Sequence, residues 1–474
     1  MASSLPRPRF EPSPCVLSQE TLQSGWVPLI SCAAGFPIEI FEVAITQLIH
    51  HPEYNSTLIL RSETIQPRRC IRRRLLPRRP GRDPPLEQYC TLYGPSNEPA
   101  ILDTVVLTPI VEPGSSLPYY HPTVSHLVFR YVPGSTPTLV MEVDPLPGTP
   151  LDMNSRLYRT CLALLDAVHR YGWGAMSNYK KRVIHDCLVP REEYQDLYLI
   201  MRARHKHLVD TWQEVTDPLK HVFEDIGIAT YLMLLWKDTF RSGPINNPSD
   251  EKEPWKSWPR PVGGFLDLGC GNGLLTHILI AEGYDGYGID LRARTSWSHY
   301  PETTQASLRV HAFDPTTNPS YPASDQFFKP GVFIIGNHAD ELTPWVPVLS
   351  TLYNASGYLL IPCCSWTFDK KFERSSTPSF PLPGGTSTLA KGSNKSSYSM
   401  YRIWLATLAL HCGWEVETET LRIPSTRNWA IIGRRRLSSM LTEEALSHVE
   451  NIIEDVQARG LFKTRKPEGK AGDH

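Results

Sequence analysis

The chain has 474 residues, with 48 Lys and Arg against 49 Asp and Glu and a formal net charge of −1. That length points to about two or three domains, and the even charge balance excludes a protein that holds polyanions by bulk charge alone. Ten cysteines with no C-x-x-C pair argue against a disulfide framework and a structural zinc site, and fit reduced thiols in a cytosolic or nuclear setting.

The first ten residues, Met1 to Phe10, carry no apolar h-region, so no signal peptide is expected. The longest greasy run, Gly227 to Trp236, has ten residues and is too short to span a bilayer; a soluble protein is expected. Residues 1–150 hold 23 of the 43 prolines, a composition hostile to long helices but tolerant of edge strands and loops. Within this proline-rich, partly β N-terminal region, 126–132 and 138–143 flank Pro133-Gly134-Ser135-Thr136-Pro137 and read as a β-hairpin. The stretch from about 62 to 100 has little apolar content and reads as a mobile basic loop. It includes Arg68, Arg69, Arg72, Arg73, Arg74, Arg78, Arg79 and Arg82, eight arginines in fifteen residues. Their only local acids are Asp83 and Glu87, so these guanidiniums are expected to be free for phosphates. A nuclear localisation signal or a solvated loop are the competing readings.

Residues 151–243 switch to helical periodicity and form a helical extension. One helix is marked by Leu157, Leu162, Leu164, Leu165 and Val168 and is expected to stop at Gly172; a second runs from Tyr194 to Trp212. A third opens on Asp217 as N-cap with Pro218 at the first helical position, and runs toward Phe240. Residues 244–261, with five prolines, read as a linker. From 262 to 436 strands and helices alternate. Strands are expected near 263–268, 285–290, 308–313, 331–336, 356–361, 415–421 and 428–433, and helices near 273–282, 344–354 and 398–412. The last two strands should form an antiparallel hairpin at one edge of a mostly parallel, doubly covered sheet. Residues 437–474 hold an amphipathic helix and a basic tail.

Where the first of these strands ends, Asp267-Leu268-Gly269-Cys270-Gly271-Asn272-Gly273 removes three β-carbons, so backbone N–H groups can approach a small polar ligand. Asp290 ends the next strand, placed to accept both hydroxyls of a ribose. The spacing is G-x-G-x-G, not the G-x-G-x-x-G of nicotinamide and flavin enzymes. D-x-G-x-G-x-G resembles motif I of class I S-adenosylmethionine methyltransferases, which implies a seven-stranded Rossmann-like sheet and that cofactor. The bland reading is a glycine turn that only lets strand pack on helix.

Ligands of open α/β sheets sit at the carboxyl ends of the strands. Asp267, Gly269, Gly271, Gly273, Asp290, Asp314 and Asn337 are accordingly the cofactor-binding set, Asp314 for an exocyclic adenine amine, although it also suits an N-cap or turn before Pro315. The segment Asn337-His338-Ala339-Asp340-Glu341 follows the fourth strand, beside the expected position of the transferable methyl. Asp340, then Glu341, then His338 are the candidates for a base that receives an acceptor proton; helix capping explains the same residues about as well. Cys363 and Cys364 are read as shaping the acceptor pocket, not as nucleophiles. No metal site is expected. Lys370, Lys371, Lys391 and Lys395 lie in Ser- and Gly-rich loops that suit phosphate contacts or a solvated face.

Five segments together resemble the eukaryotic, and in style fungal, tRNA (uracil-2′-O)-methyltransferases. They are 212–226, Asp267–Leu275, Gly286–Arg292, Gly336–Leu342 and Arg422–Asn428. The resemblance covers about 150–436. It implies a cytoplasmic enzyme that transfers the methyl of S-adenosylmethionine to the ribose of a uridine, at position 44 of serine tRNA. The C-terminal cysteine/histidine zinc finger of some relatives is not expected here, because no cysteine follows Cys412. A methyltransferase with a protein or small-molecule acceptor, or a catalytically silent RNA-binding scaffold, are the alternatives.

Overall fold

Proline and alternating apolar residues build a sheet in the first 150 positions. The computed structural model describes residues 8–15, 26–66, 70–94, 101–112, 114–177, 185–241, 252–312, 314, 326–368, 370–373, 380 and 396–460. It divides into two compact units, Met1–Lys181 and Arg182–His474.

The first unit contains β1 (Ser13–Pro14), β2 (Val27–Ala33), α1 (Ile38–His50), β3 (Ile59–Gln66), β4 (Cys70–Pro77), β5 (Leu86–Tyr93), β6 (Thr104–Ile110), β7 (Val124–Val132), β8 (Thr138–Pro145) and α2 (Arg156–Met176). Its strands make one sheet in the order β1-β2-β8-β7-β6-β5-β4-β3, and each described pairing is antiparallel. The prolines fit because most lie where a missing N–H costs little: Pro14 on the edge strand, Pro77 and Pro145 at strand ends, Pro28 at a register shift. In β8, Leu139, Met141 and Val143 are buried and alternate with more exposed residues. They share a core with Phe41 and Ile45 of α1 and Leu157, Cys161 and Leu165 of α2.

Two expectations for this unit are corrected. The helix does not stop at Gly172: α2 continues to Met176, and a β-carbon at Gly172 would fall 2.1 Å from the Phe36 ring. That glycine permits close packing and ends nothing. The stretch from 62 to 100 is not a loop, since β4 and β5 occupy most of its described part. Two of its inward positions, Arg73 and Gln88, are polar, which hid the alternation. Arg73 is buried, donates to Gln88 Oε1 at 3.0 and 2.6 Å, and reaches the Ile49 carbonyl. Arg72 and Arg74 point the other way and both bond Glu87, at 2.8 and 2.7 Å. The cluster is therefore not a free guanidinium array, although Arg79 and Arg82 are exposed; Arg68 and Arg69 lie outside the described residues. Arg73→Ser would strand Gln88 and the Ile49 carbonyl, at about 1–3 kcal/mol for each buried group left unpaired. Scanning calorimetry should show a lowered melting temperature for Arg73→Ser and none for Arg79→Ser or Arg82→Ser.

The second unit opens with α3 (Arg191–His205) and α4 (Pro218–Thr239). As the sequence indicates, Asp217 caps α4, accepting from Leu219 N at 3.0 Å, with Pro218 at its first position. The strands are β9 (Phe265–Leu268), β10 (Gly286–Asp290), β11 (Leu308–Val310), β12 (Phe333–Asn337), β13 (Gly357–Ile361), β14 (Glu417–Thr420) and β15 (Trp429–Gly433). The helices among them are α5 (Leu274–Ala281), α6 (Glu302–Gln305), α7 (Trp345–Leu352) and α8 (Ser397–His411), and α9 (Thr442–Ala458) follows. The sheet order is β11-β10-β9-β12-β13-β15-β14. The first five strands in that order pair in parallel, and β15 and β14 add as an antiparallel hairpin.

Period-two alternation gives this sheet two buried faces. Phe265, Phe333, Ile335 and Leu359 pack with α4 and α5, while Leu266, Leu268, Ile334 and Leu360 pack with α7, α8 and α9. Helix α4 is buried almost all round from Ile226 to Trp236. Its Trp236 contacts the Phe265, Tyr284 and Phe333 rings at centroid distances of 6.1, 5.2 and 5.5 Å. Part of the proline-rich 244–261 stretch is also ordered core, for Trp255 is fully buried and donates to Glu282 at 2.8 Å. Among the described residues no helix is long and apolar enough to cross a membrane.

Candidate active site

Strand order reverses between β9 and β12, and the turns after those two strands face one crevice. Gly269, Gly271 and Gly273 all adopt positive φ, at 70°, 53° and 76°, which side chains with a β-carbon rarely tolerate. The loop is pinned from below: the N–H groups of Gly269 and Cys270 both donate to the Ile289 carbonyl, at 2.9 and 3.0 Å. The Trp297 indole donates to the Gly271 carbonyl at 2.9 Å. Asp290 Oδ2 accepts from Gly271 N at 2.9 Å and Oδ1 from Arg292 N at 3.3 Å. A carboxylate has about four lone-pair sites, so Asp290 orients the loop and keeps acceptor capacity. A β-carbon at Gly271 would meet nothing within 4 Å, so the crown of the loop faces open space.

Asp267 lies beneath this loop, 2 % exposed, with Oδ2 accepting from Thr276 at 3.1 Å and Oδ1 buried without a partner. Burial, opposed by the Thr276 bond and aided by the Asp290 charge, pushes its carboxyl up to about 7. Asn337 ends β12, donates to Asp225 Oδ1 at 3.4 Å, and has a buried Oδ1 with no partner. Asp225 belongs to the first turns of α4. Its sheltered position first, then the charges of Glu224 and Asp267, hold its carboxyl well above the usual range, against the Asn337 bond. Neighbouring Glu224 is buried and pairs with His338 Nε2 at 3.1 Å.

Glu224 and Asp225 are thus site residues that the reading of the strand ends missed. The available signal was two adjacent acids directly before an almost wholly apolar run, Ile226 to Trp236, since carboxylates sheltered from water need a partner.

His338 and Asp340 have φ of 54° and 41°, left-handed values that cost non-glycine residues of order 1–3 kcal/mol each. The turn they form brings Asp340 to Cys363, whose thiol donates to Asp340 Oδ1 at 3.3 Å. Asp340, Cys363 and Cys364 hold their polar atoms within 4.8 Å of one another. Burial, then the Asp340 charge, raises the Cys363 thiol well above its usual range, and burial raises Cys364 as well. In its protonated state the Cys363 thiol is a hydrogen-bond donor to Asp340. Glu341 is half-buried on the same turn. Strand β11 ends at Val310, sooner than the sequence indicates, and Asp314 is half-buried beyond it. Phe313 and 315–325 lie outside the described residues, as do Lys391 and Lys395.

Comparison with known proteins decides the family. A chain of Schizosaccharomyces pombe named tRNA (uracil-O(2)-)-methyltransferase is 35% identical over 90% of this chain and 89% of its own length. One of Neurospora crassa with the same name is 34% identical over 87% of each. This chain belongs to the tRNA (uracil-O(2)-)-methyltransferase family. Residues 8–182 match a domain described as "TRM44-like, N-terminal bet v1-like domain", which gives the proline-rich unit the fold its sequence alone did not reveal. Residues 188–250 and 253–315 match "Predicted AdoMet-dependent methyltransferase". That second match contains Glu224, Asp225, the glycine loop and Asp290.

The residues present fit S-adenosylmethionine. It is a sulfonium that also carries an ammonium, and Glu224, Asp225 and Asp267 gather three carboxyl groups with no Lys or Arg bonded to them among the described residues, groups whose ionised forms a bound cation would favour. The unpartnered oxygens of Asp267 and Asn337 are acceptors for an ammonium, and the glycine crown leaves space for the ligand. A pH dependence follows. In the ligand-free protein Asp267 keeps a proton that the unfolded chain releases, so its contribution to stability falls as pH rises from about 4 to about 7. A bound cation favours the ionised form, so binding should release protons below about pH 7 and tighten as pH rises toward it. Titration calorimetry of S-adenosylmethionine in buffers of different ionisation enthalpy should detect this release, and Asp267→Asn should reduce it, the remainder coming from Asp225.

Proposed function

We propose that the protein is an S-adenosylmethionine-dependent tRNA methyltransferase that modifies the ribose 2′-hydroxyl of a uridine, with position 44 of serine tRNA as its site and the cytoplasm as its compartment. The observation that carries this reading is the convergence of three carboxylates on a positive-φ glycine loop, in a chain about a third identical to tRNA (uracil-O(2)-)-methyltransferases over most of its length. The five parallel strands, the reversal between β9 and β12 and the terminal antiparallel hairpin support a seven-stranded Rossmann-like sheet of class I type. The organisation proposed is a proline-rich β unit, a helical segment, the methyltransferase module at about 262–436 and a C-terminal helix.

When bound, the cofactor supplies an electrophilic methyl on its sulfonium sulfur. Gly269, Gly271 and Gly273 offer close backbone approach, and Asp267, Asp225 and Asn337 hold the amino acid end. Asp290 accepts the ribose hydroxyls, and Asp314 serves the adenine amine. On the acceptor side, Asp340 takes the proton of the 2′-hydroxyl as its oxygen attacks, with Glu341 and then His338 as the other candidates. The Cys363 thiol orients Asp340 through its hydrogen bond. Holding two reactants in line and relieving the hydroxyl of its proton are the two contributions this site makes.

Labelled cofactor, bulk tRNA and nucleoside analysis test the reading; the expected product is 2′-O-methyluridine, and a methylated base would overturn it. Gly271→Arg and Asp290→Ala should weaken cofactor binding by about ten- to a hundredfold. Asp340→Asn should slow transfer by about 10²–10⁴ while cofactor affinity stays near wild type. Cys363→Ala and Cys364→Ala should keep activity within about tenfold, since neither forms a bond to substrate. Wild-type turnover in Asp340→Asn, Glu341→Gln and His338→Ala alike would make the 337–341 turn structural.

A further inference from the structure

Behind the glycine loop the second unit holds a cavity of about 740 Å³, within the size range of small-molecule sites. Its walls come from the end of α3 and the turn after it, from the outer side of α5, and from the segment 296–301. It opens next to the cofactor site: Leu274, which follows Gly273 directly, lines it, and Ser296 and Tyr300 line it on either side of Trp297, which bonds Gly271.

The cavity wall is built rigidly around one buried acid. Glu282 has no exposure and accepts from Arg204 Nε at 2.8 Å, His205 Nε2 at 2.6 Å and Trp255 Nε1 at 2.8 Å. Arg204 also pairs with Glu253 at 2.6 Å. The guanidinium on this wall is therefore already neutralised twice, and the cavity is no phosphate trap. What remains to meet a ligand is flat and weakly polar. The His277 ring stacks on Tyr300 at 4.5 Å and 13°, and Trp212, half-exposed, lies parallel to His221 at 5.9 Å with its indole nitrogen bonded to the Thr216 carbonyl. Burial holds His277 down to about 4, so its ring is neutral. His207 and His299 are exposed at the margin.

A rigid cavity with aromatic and imidazole faces, apolar Leu208 and Leu274, and its one guanidinium already paired suits a planar heteroaromatic group. In RNA, unstacked bases of loops and bulges are taken up on such faces, with their edges bonded by side chains. We propose that this cavity receives an unpaired base of the RNA substrate, a neighbour of the nucleotide whose ribose is methylated, and so helps select the tRNA. The proposal rests on the RNA reading above.

The test is tRNA affinity and KM for deproteinised bulk tRNA, with S-adenosylmethionine affinity measured in parallel by calorimetry. Stacking of one base is lost in Trp212→Ala, so the tRNA Kd and KM should rise by about five- to 150-fold, with cofactor affinity and kcat close to wild type. Trp212→Phe should restore most of the loss, because a stacking face returns. His299→Ala should have a smaller effect in the same direction. Bulk tRNA containing 4-thiouridine should crosslink to peptides from 204–213 or 296–301. Unchanged tRNA Kd and KM in both alanine variants would overturn the proposal, as would a loss of cofactor affinity with tRNA binding intact. Failure of the parent reading is distinct: the wild-type protein itself would then neither bind nor methylate tRNA.

Discussion

Carboxyl groups sheltered from water at the start of α4, with no lysine or arginine bonded to them among the described residues, are the constraint on which the active-site architecture depends. Glu224 and Asp225 enter the crevice because the rest of the helix, from Ile226 to Trp236, is buried against one sheet face. The helix cannot rotate to release the acids without exposing that apolar surface. A carboxylate withdrawn from water is costly unless paired, and here three of them share one end of the site. The helix packing and the sheet core bear that cost, protonation of Asp225 and Asp267 lessens it, and the result is a cleft whose charge a cationic ligand draws out on binding.

Strain on the opposite wall has the same logic. The turn after β12 places two non-glycine residues in left-handed backbone, and both side chains are then used: His338 reaches back to Glu224, and Asp340 meets the Cys363 thiol. One turn thereby links α4, β12 and the end of β13. An acid that only capped a helix would not need such a conformation, which is why Asp340 is proposed for the acceptor side.

Much of the second unit was legible because its patterns are local. Apolar strands, glycine spacing and the Asp217-Pro218 start of α4 each declare themselves within a few residues, and the strand ends named the glycine loop, Asp290 and the 337–341 turn. Glu224 and Asp225 escaped because their significance is tertiary: nothing within α4 says that its first turns meet a loop over forty residues later. The first unit was harder for a different reason. Arg61, Arg73 and Gln88 occupy inward positions where an ordinary strand shows apolar residues, so the stretch has the polarity of a mobile loop although it is sheet. Gly172 misled in the opposite way, being a packing glycine where a terminating one was expected.

The antiparallel hairpin at the sheet edge also governs when the site can be completed. Arg434, one residue past β15, bonds Glu417 of β14 at 2.6 Å and Asp238 near the end of α4 at 2.8 Å. The helix that delivers Glu224 and Asp225 is therefore fastened by a residue made some two hundred positions after them. During synthesis the glycine loop, Asp290 and β12 emerge before that clasp exists, and at roughly 5–20 residues per second the stretch from Asn337 to Arg434 alone takes about five to twenty seconds. Over that time α4 lacks the ion pair at its far end and the apolar contacts this hairpin gives it, so a nascent chain holds the glycine loop, Asp290 and β12 before the helix that carries Glu224 and Asp225 is fully packed.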